Sequence, residues 1–390
     1  MNTPPLARFE FATANRIIFG AGTLCELGLE AKALGHRALV VTGRNRDRAG
    51  PAFDLLARQG LTPVPFAIEG EPTTHQVRAG LALARAEQCD LIVAIGGGSA
   101  LDAGKAIGGL LTNGGDLTDY LEVIGAAKPL THPSAPVIVV PTTAGTGCEV
   151  TRNAVLASPE HRFKVSLRSP FLLPRLAIVD PELTYGLPPA LIAATGLDAL
   201  TQLIEPSVSA RANPLTDALC AEGIRRSARS LRRACEHPED AAVRADLALA
   251  SLFSGLALAN AGLGAVHGFA APIGGMFPAP HGAVCAALLP HVMRMNVRAL
   301  DARAAHHDAR RRYDQVACWL TGRPDAHAAD GIRWVSELCA TLHIPPLSTY
   351  GLRQTDVPPL VQKASAASSM KGNPIVLTEQ ELTEVLMAAL

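Results

Sequence analysis

The feature that most restricts what this chain can fold into is a change of periodicity near its middle. Up to about Pro181, short apolar runs at 16–19, 38–42, 64–68, 91–95, 137–140 and 176–179 are rich in β-branched residues and bounded by Gly, Pro or Asp. Such runs are strands. Between them, segments 24–34, 52–59, 76–87 and 101–111 repeat their apolar residues every three or four positions, as helices do. Strand and helix in alternation build a mostly parallel sheet, because parallel neighbours need a crossover long enough to hold a helix. Beyond Leu187 the strand signal vanishes, and 190–204, 214–234, 241–261, 283–296 and 331–342 read as helices, with one Gly- and Pro-rich interruption at 262–282. The expectation is an α/β N-terminal domain with a Rossmann-like, mostly parallel sheet over residues 1–186, followed by an all-α domain over 187–390.

Composition narrows the function classes. A chain of 390 residues with 48% hydrophobic content can bury two ordinary cores. The 35 basic and 35 acidic residues cancel and aromatics are 4%, so there is neither the basic stripe nor the stacking platform of a nucleic-acid binder. Arg225, Arg226, Arg229, Arg232 and Arg233 recur at helical spacing and mark a solvated face. Eight cysteines without a CxxC pair, in a chain that opens without a signal-like segment, read as reduced thiols of a cytoplasmic protein. Segment 247–266 has no charge and bilayer length, but Ser251, Ser254, Asn260 and its glycines make it a buried helix, so no membrane partner is expected.

Chemistry concentrates in three places. The strand at 91–95 runs through Gly96, Gly97, Gly98 and Ser99 into a helix from Ala100. Glycines admit close approach of a ligand, and the unpaired amides of a helix start attract phosphate, although the spacing is not GxGxxG. A second loop, after 137–140, delivers Thr142, Thr143, Thr146 and Thr151. In an open parallel sheet ligands gather at the carboxyl ends of strands, so the two loops can face one nucleotide. In the helical half, Asp198, His267 and His281 offer the carboxylate and imidazole donors of a borderline divalent ion, and Gln202, on the helix face of Asp198, is a fourth candidate metal ligand that can converge on the same ion.

The segments GGGSALDAGK, PTTAGTGCEVT, TGLDALTQLIEPSVS, NPLTDAL, NAGLGAVHG and PHGAVCAALLPHVMRMN together resemble the iron-containing (group III) alcohol dehydrogenases, a branch of the dehydroquinate-synthase-like fold. The similarity runs from about Phe19 to the end. It implies a cleft between the two domains in which a divalent metal, Fe(II) or Zn(II), faces the nicotinamide of NAD(P), and interconversion of a small-molecule alcohol and its aldehyde or ketone. It also implies a homodimer or larger homo-oligomer. Carried over by position, the nucleotide contacts fall on Gly97, Gly98, Ser99, Asp102, Thr142, Thr143, Thr151 and Lys164. The metal and the catalytic centre fall on Asp198, His267 and His281.

Three positions depart from that pattern. Most members carry a second helix-borne histidine ligand where this chain has Gln202, whose neutral amide oxygen is a weaker donor, so a metal-free site like that of maleylacetate reductases is the alternative. A further cleft histidine is replaced by Ala271, which cannot exchange protons. Gly43 stands where NAD-preferring relatives have an aspartate, and Arg44 and Arg46 follow it, which should admit the additional phosphate of NADP. A non-redox nucleotide-binding protein or a lyase on the same scaffold is a third reading. Phe253, Phe269, Met276 and Phe277 are candidates to line a cleft for a small aldehyde or short-chain alcohol.

Overall fold

The computed structural model describes residues 8–45, 47–161 and 163–390. Its strands are β1 (Ile17–Phe19), β2 (Arg37–Thr42), β3 (Thr62–Ala67), β4 (Leu91–Gly96), β5 (Val137–Pro141), β6 (Asn153–Ser158), β7 (Phe163–Arg168) and β8 (Leu176–Val179). In the N-terminal half the helices are α1 (Leu27–Lys32), α2 (Gly50–Arg58), α3 (Thr74–Ala86), α4 (Gly98–Thr112) and α5 (Leu117–Tyr120). The C-terminal half holds α6 (Pro189–Val208), α7 (Pro214–Glu236), α8 (Ala241–Ala261), α9 (Ala265–Met276) and α10 (His281–Arg303). It continues with α11 (Asp308–Thr321), α12 (Ala328–Thr341), α13 (Val357–Ser365) and α14 (Glu379–Ala389).

Six strands form one parallel sheet in the order β1-β8-β5-β4-β2-β3. Every residue of β4 is buried, as expected of a central strand covered on both faces. Leu39, Val41, Ile92 and Ala94 face a core shared with α3 and α4, while Val40, Val93 and Ile95 face one shared with α1 and α2. After β2 the chain turns toward β3 through α2, and after β4 it turns the other way, toward β5, through α4. The carboxyl ends of β2 and β4 therefore flank a topological switch point, where open sheets leave a crevice.

The antiparallel pair β6–β7 lies outside the main sheet and was not expected from the sequence. Its strand β6 alternates half-buried and buried positions along NAVLAS, a period-2 signal masked by the threonine loop before it. The Gly- and Pro-rich stretch at 262–282 is not an interruption of the helical half but contains helix α9. Three glycines and Pro272 lower its intrinsic propensity, and packing overrides them, with Phe269 and Ile273 one turn apart and fully buried. Helix α8, the apolar candidate, divides its faces between the two halves. Ala248, Leu252 and Leu256 enter the sheet-side core, whereas Leu247, Ala250 and Ala257 enter the helical one.

The contact between halves is backbone on backbone at one point. A Cβ on Gly255 of α8 would lie 2.2 Å from the Gly147 carbonyl oxygen, and Gly147 itself has φ +60°, so neither position tolerates a side chain. The loop bearing Gly147 is pinned from the other side by Lys105 of α4, which is wholly buried. Its Nζ donates to Cys148 O (2.9 Å), Thr151 Oγ1 (3.0 Å) and Asn153 O (2.5 Å) and pairs with Asp102 at 3.0 Å.

Glu149 sits in the same loop with 2% exposure, and burial pushes its carboxyl up to about 7, against the pull of its own amide and of Lys105. The unfolded chain releases that proton near pH ~4.3. In the window between, the folded state holds the extra proton, so this contribution to stability is full at low pH and fades as pH rises to about 7. Its size is on the order of 3–4 kcal/mol. Glu149→Gln is expected to remove it: thermal melts of wild type should lose ground against the variant between pH 5 and 8, and parallel profiles would refute the assignment.

Candidate active site

At the switch point lies a cavity of about 400 Å³ lined by Gly43, Asn45, Arg48, Gly97, Thr142 and Leu187, among others. Gly97 caps α4 in an extended conformation, leaving the amides of Gly98 and Ser99 at the helix start, where no intrahelical acceptor exists. Thr143 lies over Gly97 and Thr146 against Gly98, so the threonine loop closes onto the glycine turn. A Cβ on Gly43 would meet nothing within 4 Å, which leaves open room at the end of β2. Arg48 lines this space but its guanidinium donates to the carbonyls of Tyr185 and Gly186. Arg44 is exposed, and Arg46 lies outside the described residues.

Two expected nucleotide contacts are engaged within the protein. Asp102 accepts from the Val155 amide at 3.0 Å and pairs with Lys105, and Thr151 accepts from Lys105. Both hold the threonine loop and the β6–β7 pair on α4. Lys164, on β7, is 3.0 Å from Glu71 and lies against Gly274 of α9, so it stands where the sheet half meets the helix carrying His267.

Three helices bring the metal candidates together. Asp198 comes from the middle of α6, His267 from the first turn of α9 and His281 from the first residue of α10. Asp198 Oδ1 is 3.5 Å from His267 Nε2 and 3.7 Å from His281 Nε2. Cys285, one turn beyond His281, places Sγ 3.8 Å and 3.7 Å from the same two nitrogens. All four donors lie within 4.8 Å of one another. The approach depends on Gly282, where a Cβ would stand 2.4 Å from the Ala194 carbonyl oxygen of α6. Asp198 Oδ1 is buried and has no hydrogen-bond partner among the described residues, and such an atom is stabilised by a cation.

Glu205 supports the cluster from behind. One carboxylate oxygen accepts from the Val266 amide at 2.7 Å, and the other lies 2.6 Å from His267 Nδ1. A carboxylate only accepts, so Nδ1 carries a proton, and in the neutral ring Nε2 is free to act as a ligand. Burial acts to lower the His267 pKa, but Cys285, Glu205 and Asp198 outweigh it and hold the ring well above the ordinary imidazole range. Burial acts to raise the Asp198 pKa, but His281 and His267 outweigh it and hold the carboxyl below its usual value. The pocket draws positive charge. Gln202 is buried on the same helix face, with its amide oxygen accepting from Ser254 Oγ at 2.9 Å.

The sequence located Asp198, His267 and His281 but missed Cys285 and Glu205. Both were signalled by spacing, since Cys285 is four residues after His281 and Glu205 seven after Asp198, each on the ligand face of its helix. Phe269 is fully buried in the helical core and packs rather than lining a cleft. The crevice and the cluster are neighbours: a Cβ on Gly145 of the threonine loop would lie 2.7 Å from the Thr195 Cβ, one turn before Asp198. His281 is the open side of the cluster, 33% exposed against 2% for Asp198 and 6% for His267.

A phosphate-attracting crevice beside a buried donor set for one divalent ion defines a metal-binding nucleotide fold. Comparison with known proteins makes the class specific. The family description "Iron-containing alcohol dehydrogenase" matches residues 14–181, and "Fe-containing alcohol dehydrogenase family, C-terminal" matches residues 192–390. The chain is 37% identical over 390 residues to a 1,3-propanediol dehydrogenase of Klebsiella pneumoniae, with 98% of each chain covered. A crystal structure of 1,3-propanediol oxidoreductase is similar at TM-score 0.91 and 36% identity, over 98% of this chain and 100% of that one. A sulfoacetaldehyde reductase from Bifidobacterium kashiwanohense, solved in complex with NAD+, is similar at TM-score 0.87 and 27% identity, over 98% and 99% of the chains. The chain belongs to the iron-containing alcohol dehydrogenase family. It is an oxidoreductase of alcohols and aldehydes.

The hydrogen bond from His267 makes Glu205 a positioning residue with a measurable effect. Glu205→Gln should weaken binding of Zn(II) by about 10–100-fold, as loss of an outer-shell carboxylate does. Competition with a chromogenic chelator measures it, and an unchanged affinity would show that the bond does not orient the ring.

Proposed function

We propose that the chain reduces a small aldehyde, or oxidises the corresponding short-chain alcohol, by direct hydride transfer. Its units are a nucleotide-binding domain over residues 1–186 and a metal-binding domain over 187–390. The observation that carries this reading is the meeting of Asp198, His267 and His281 around one ion-sized space beside the strand-end crevice. When bound, the divalent ion supplies a Lewis acid at the substrate oxygen and NAD(P)(H) supplies or accepts the hydride.

The remaining steps belong to the chain. Asp198, His267 and His281 would hold the ion, and Glu205 fixes the His267 ring. Gly97, Gly98 and Ser99 present helix-start amides to the pyrophosphate, with Thr142 and Thr143 on the opposite wall. Lys105 and Asp102 keep that wall in place. Lys164 projects from β7 to α9 and offers a cation at the cleft. Ala271, one turn beyond His267 and half-buried, leaves no side chain to carry a proton there. The substrate oxygen therefore exchanges its proton with water entering on the His281 side. Buried Phe269 is withdrawn from substrate contact, whereas Phe253, Met276 and Phe277 are half-buried and remain candidates for the cleft wall. The family context supports a homodimer or larger homo-oligomer working in the cytoplasm.

Two experiments test this. His267→Ala and His281→Ala should each reduce turnover to background while the thermal transition persists; near-normal rates in both would refute a catalytic metal. Because Gly43 leaves open space and no carboxylate at the end of β2, NADP(H) should serve at least as well as NAD(H). Gly43→Asp should shift the kcat/KM ratio toward NAD(H) by about tenfold or more, or about 1.4 kcal/mol. A wild-type enzyme already strongly selective for NAD(H) would reject the assignment.

A further inference from the structure

We propose that Cys285 is a ligand of the bound ion, taking the place that Gln202 cannot fill, so that the donor set is Asp198, His267, His281 and Cys285. This deepens the metal reading above and rests on it.

The geometry is that of a nearly formed tetrahedron. With N and O donors at about 2.0–2.1 Å from the ion and sulfur at about 2.3 Å, the edges are about 3.3–3.4 Å between N or O atoms and about 3.6 Å between N and S. The structure has 3.5 and 3.7 Å from Asp198 Oδ1 to the two imidazole nitrogens. It has 3.8 and 3.7 Å from Cys285 Sγ to the same nitrogens. Four of the six edges are thus within a few tenths of an ångström of bonding geometry, and the other two are no longer than 4.8 Å. Cys285 is fully buried, and its sulfur lies beside the two imidazole Nε2 atoms. Gln202, by contrast, already accepts a hydrogen bond from the buried Ser254 hydroxyl.

The helix pattern supports the substitution. A chelating pair at i and i+4 needs two donors on one helix face. On α6 that pair would be Asp198 and Gln202, whose second member is a weak donor; on α10 it is His281 and Cys285, both strong ones for a borderline ion.

Charge and softness follow from the exchange. A coordinated thiol is deprotonated, so two anionic donors neutralise a dication in a site that water reaches from one side. Thiolate also shifts preference toward Zn(II) over Fe(II) and leaves the ion less electron-poor than a fourth neutral ligand would.

Cobalt(II) tests this directly, because thiolate ligation adds sulfur-to-metal charge-transfer absorption in the near ultraviolet. Full-length apoprotein titrated with Co(II) should bind one equivalent per chain and show that band. Cys285→Ser, verified as folded by its thermal transition, should still bind Co(II) but without the band, and its Zn(II) affinity should fall about tenfold or more. Gln202→Ala should keep the band and bind within a few-fold of wild type. Co(II) bound to wild type without the band, or a band that persists in Cys285→Ser, overturns the ligand assignment and leaves the metal centre standing. Failure of wild type to bind either ion overturns both.

Discussion

The structure depends on three helices coming close enough for a carboxylate, two imidazoles and a thiol to share one small, largely buried space. Burying such groups without partners is unfavourable by several kcal/mol per charge, and nothing in the apolar packing of α6, α9 and α10 offsets it. The chain accepts the arrangement at a single crossing, where Gly282 lets α10 begin against the backbone of α6. Glu205 then satisfies the inner face of His267 and the Val266 amide together. What stays unmatched, Asp198 Oδ1, faces the shared space. Other buried polar atoms also lack partners, but this one is a carboxylate oxygen set among two imidazole nitrogens and a thiol, which is the arrangement that suits a cation.

The second constraint joins this cluster to the sheet. A cofactor held at the strand ends is useful only if its reactive end reaches the ion, and the loop after β5 sets that distance. Lys105 grips the loop from within α4, while glycines at 145 and 147 let it touch α6 and α8 at near backbone contact. The loop is therefore a rigid spacer, held on one side by a buried ammonium and on the other by backbone packing. Asp102 belongs to the same device, because its carboxylate balances Lys105 and takes the Val155 amide. Residues that look like nucleotide contacts in the sequence can act one step behind the contact, by holding the surface that makes it.

Legibility in the sequence followed the physics of each element. The six parallel strands and most helices were readable because burial on fixed faces imposes a period, and β8 and α8 fell at their expected limits. Helix α9 was not readable because its glycines and proline speak against a helix, and only the burial of Phe269 and Ile273 imposes one. The hairpin β6–β7 carried its alternation openly, but a threonine loop rich in candidate contacts drew that segment into a functional reading. At the site, residues of scarce chemistry stood out, whereas Glu205 and Cys285 did not. A glutamate on a long helix and one of eight cysteines become informative only when helix spacing is counted from a neighbour already suspected.

The three departures from the pattern that the family resemblance implies act in one direction. Gln202 for a histidine, Ala271 for a histidine and Gly43 for an aspartate each remove a charged or titratable group from the cleft. If nothing replaced them, the ion would be held loosely, the proton would lack a carrier and the adenosine end would lose its anchor. Each loss has a local counterpart: Cys285 stands beside the two remaining imidazoles, the His281 side is open to water, and the end of β2 opens onto a cavity. Two of these counterparts exchange a fixed protein group for space, which relaxes selection on what occupies the cleft. The metal cannot be treated that way, since an ion in a largely buried pocket needs donors at bonding distance. This is why the compensation at the metal is another side chain, and why it comes from the helix that already supplies His281.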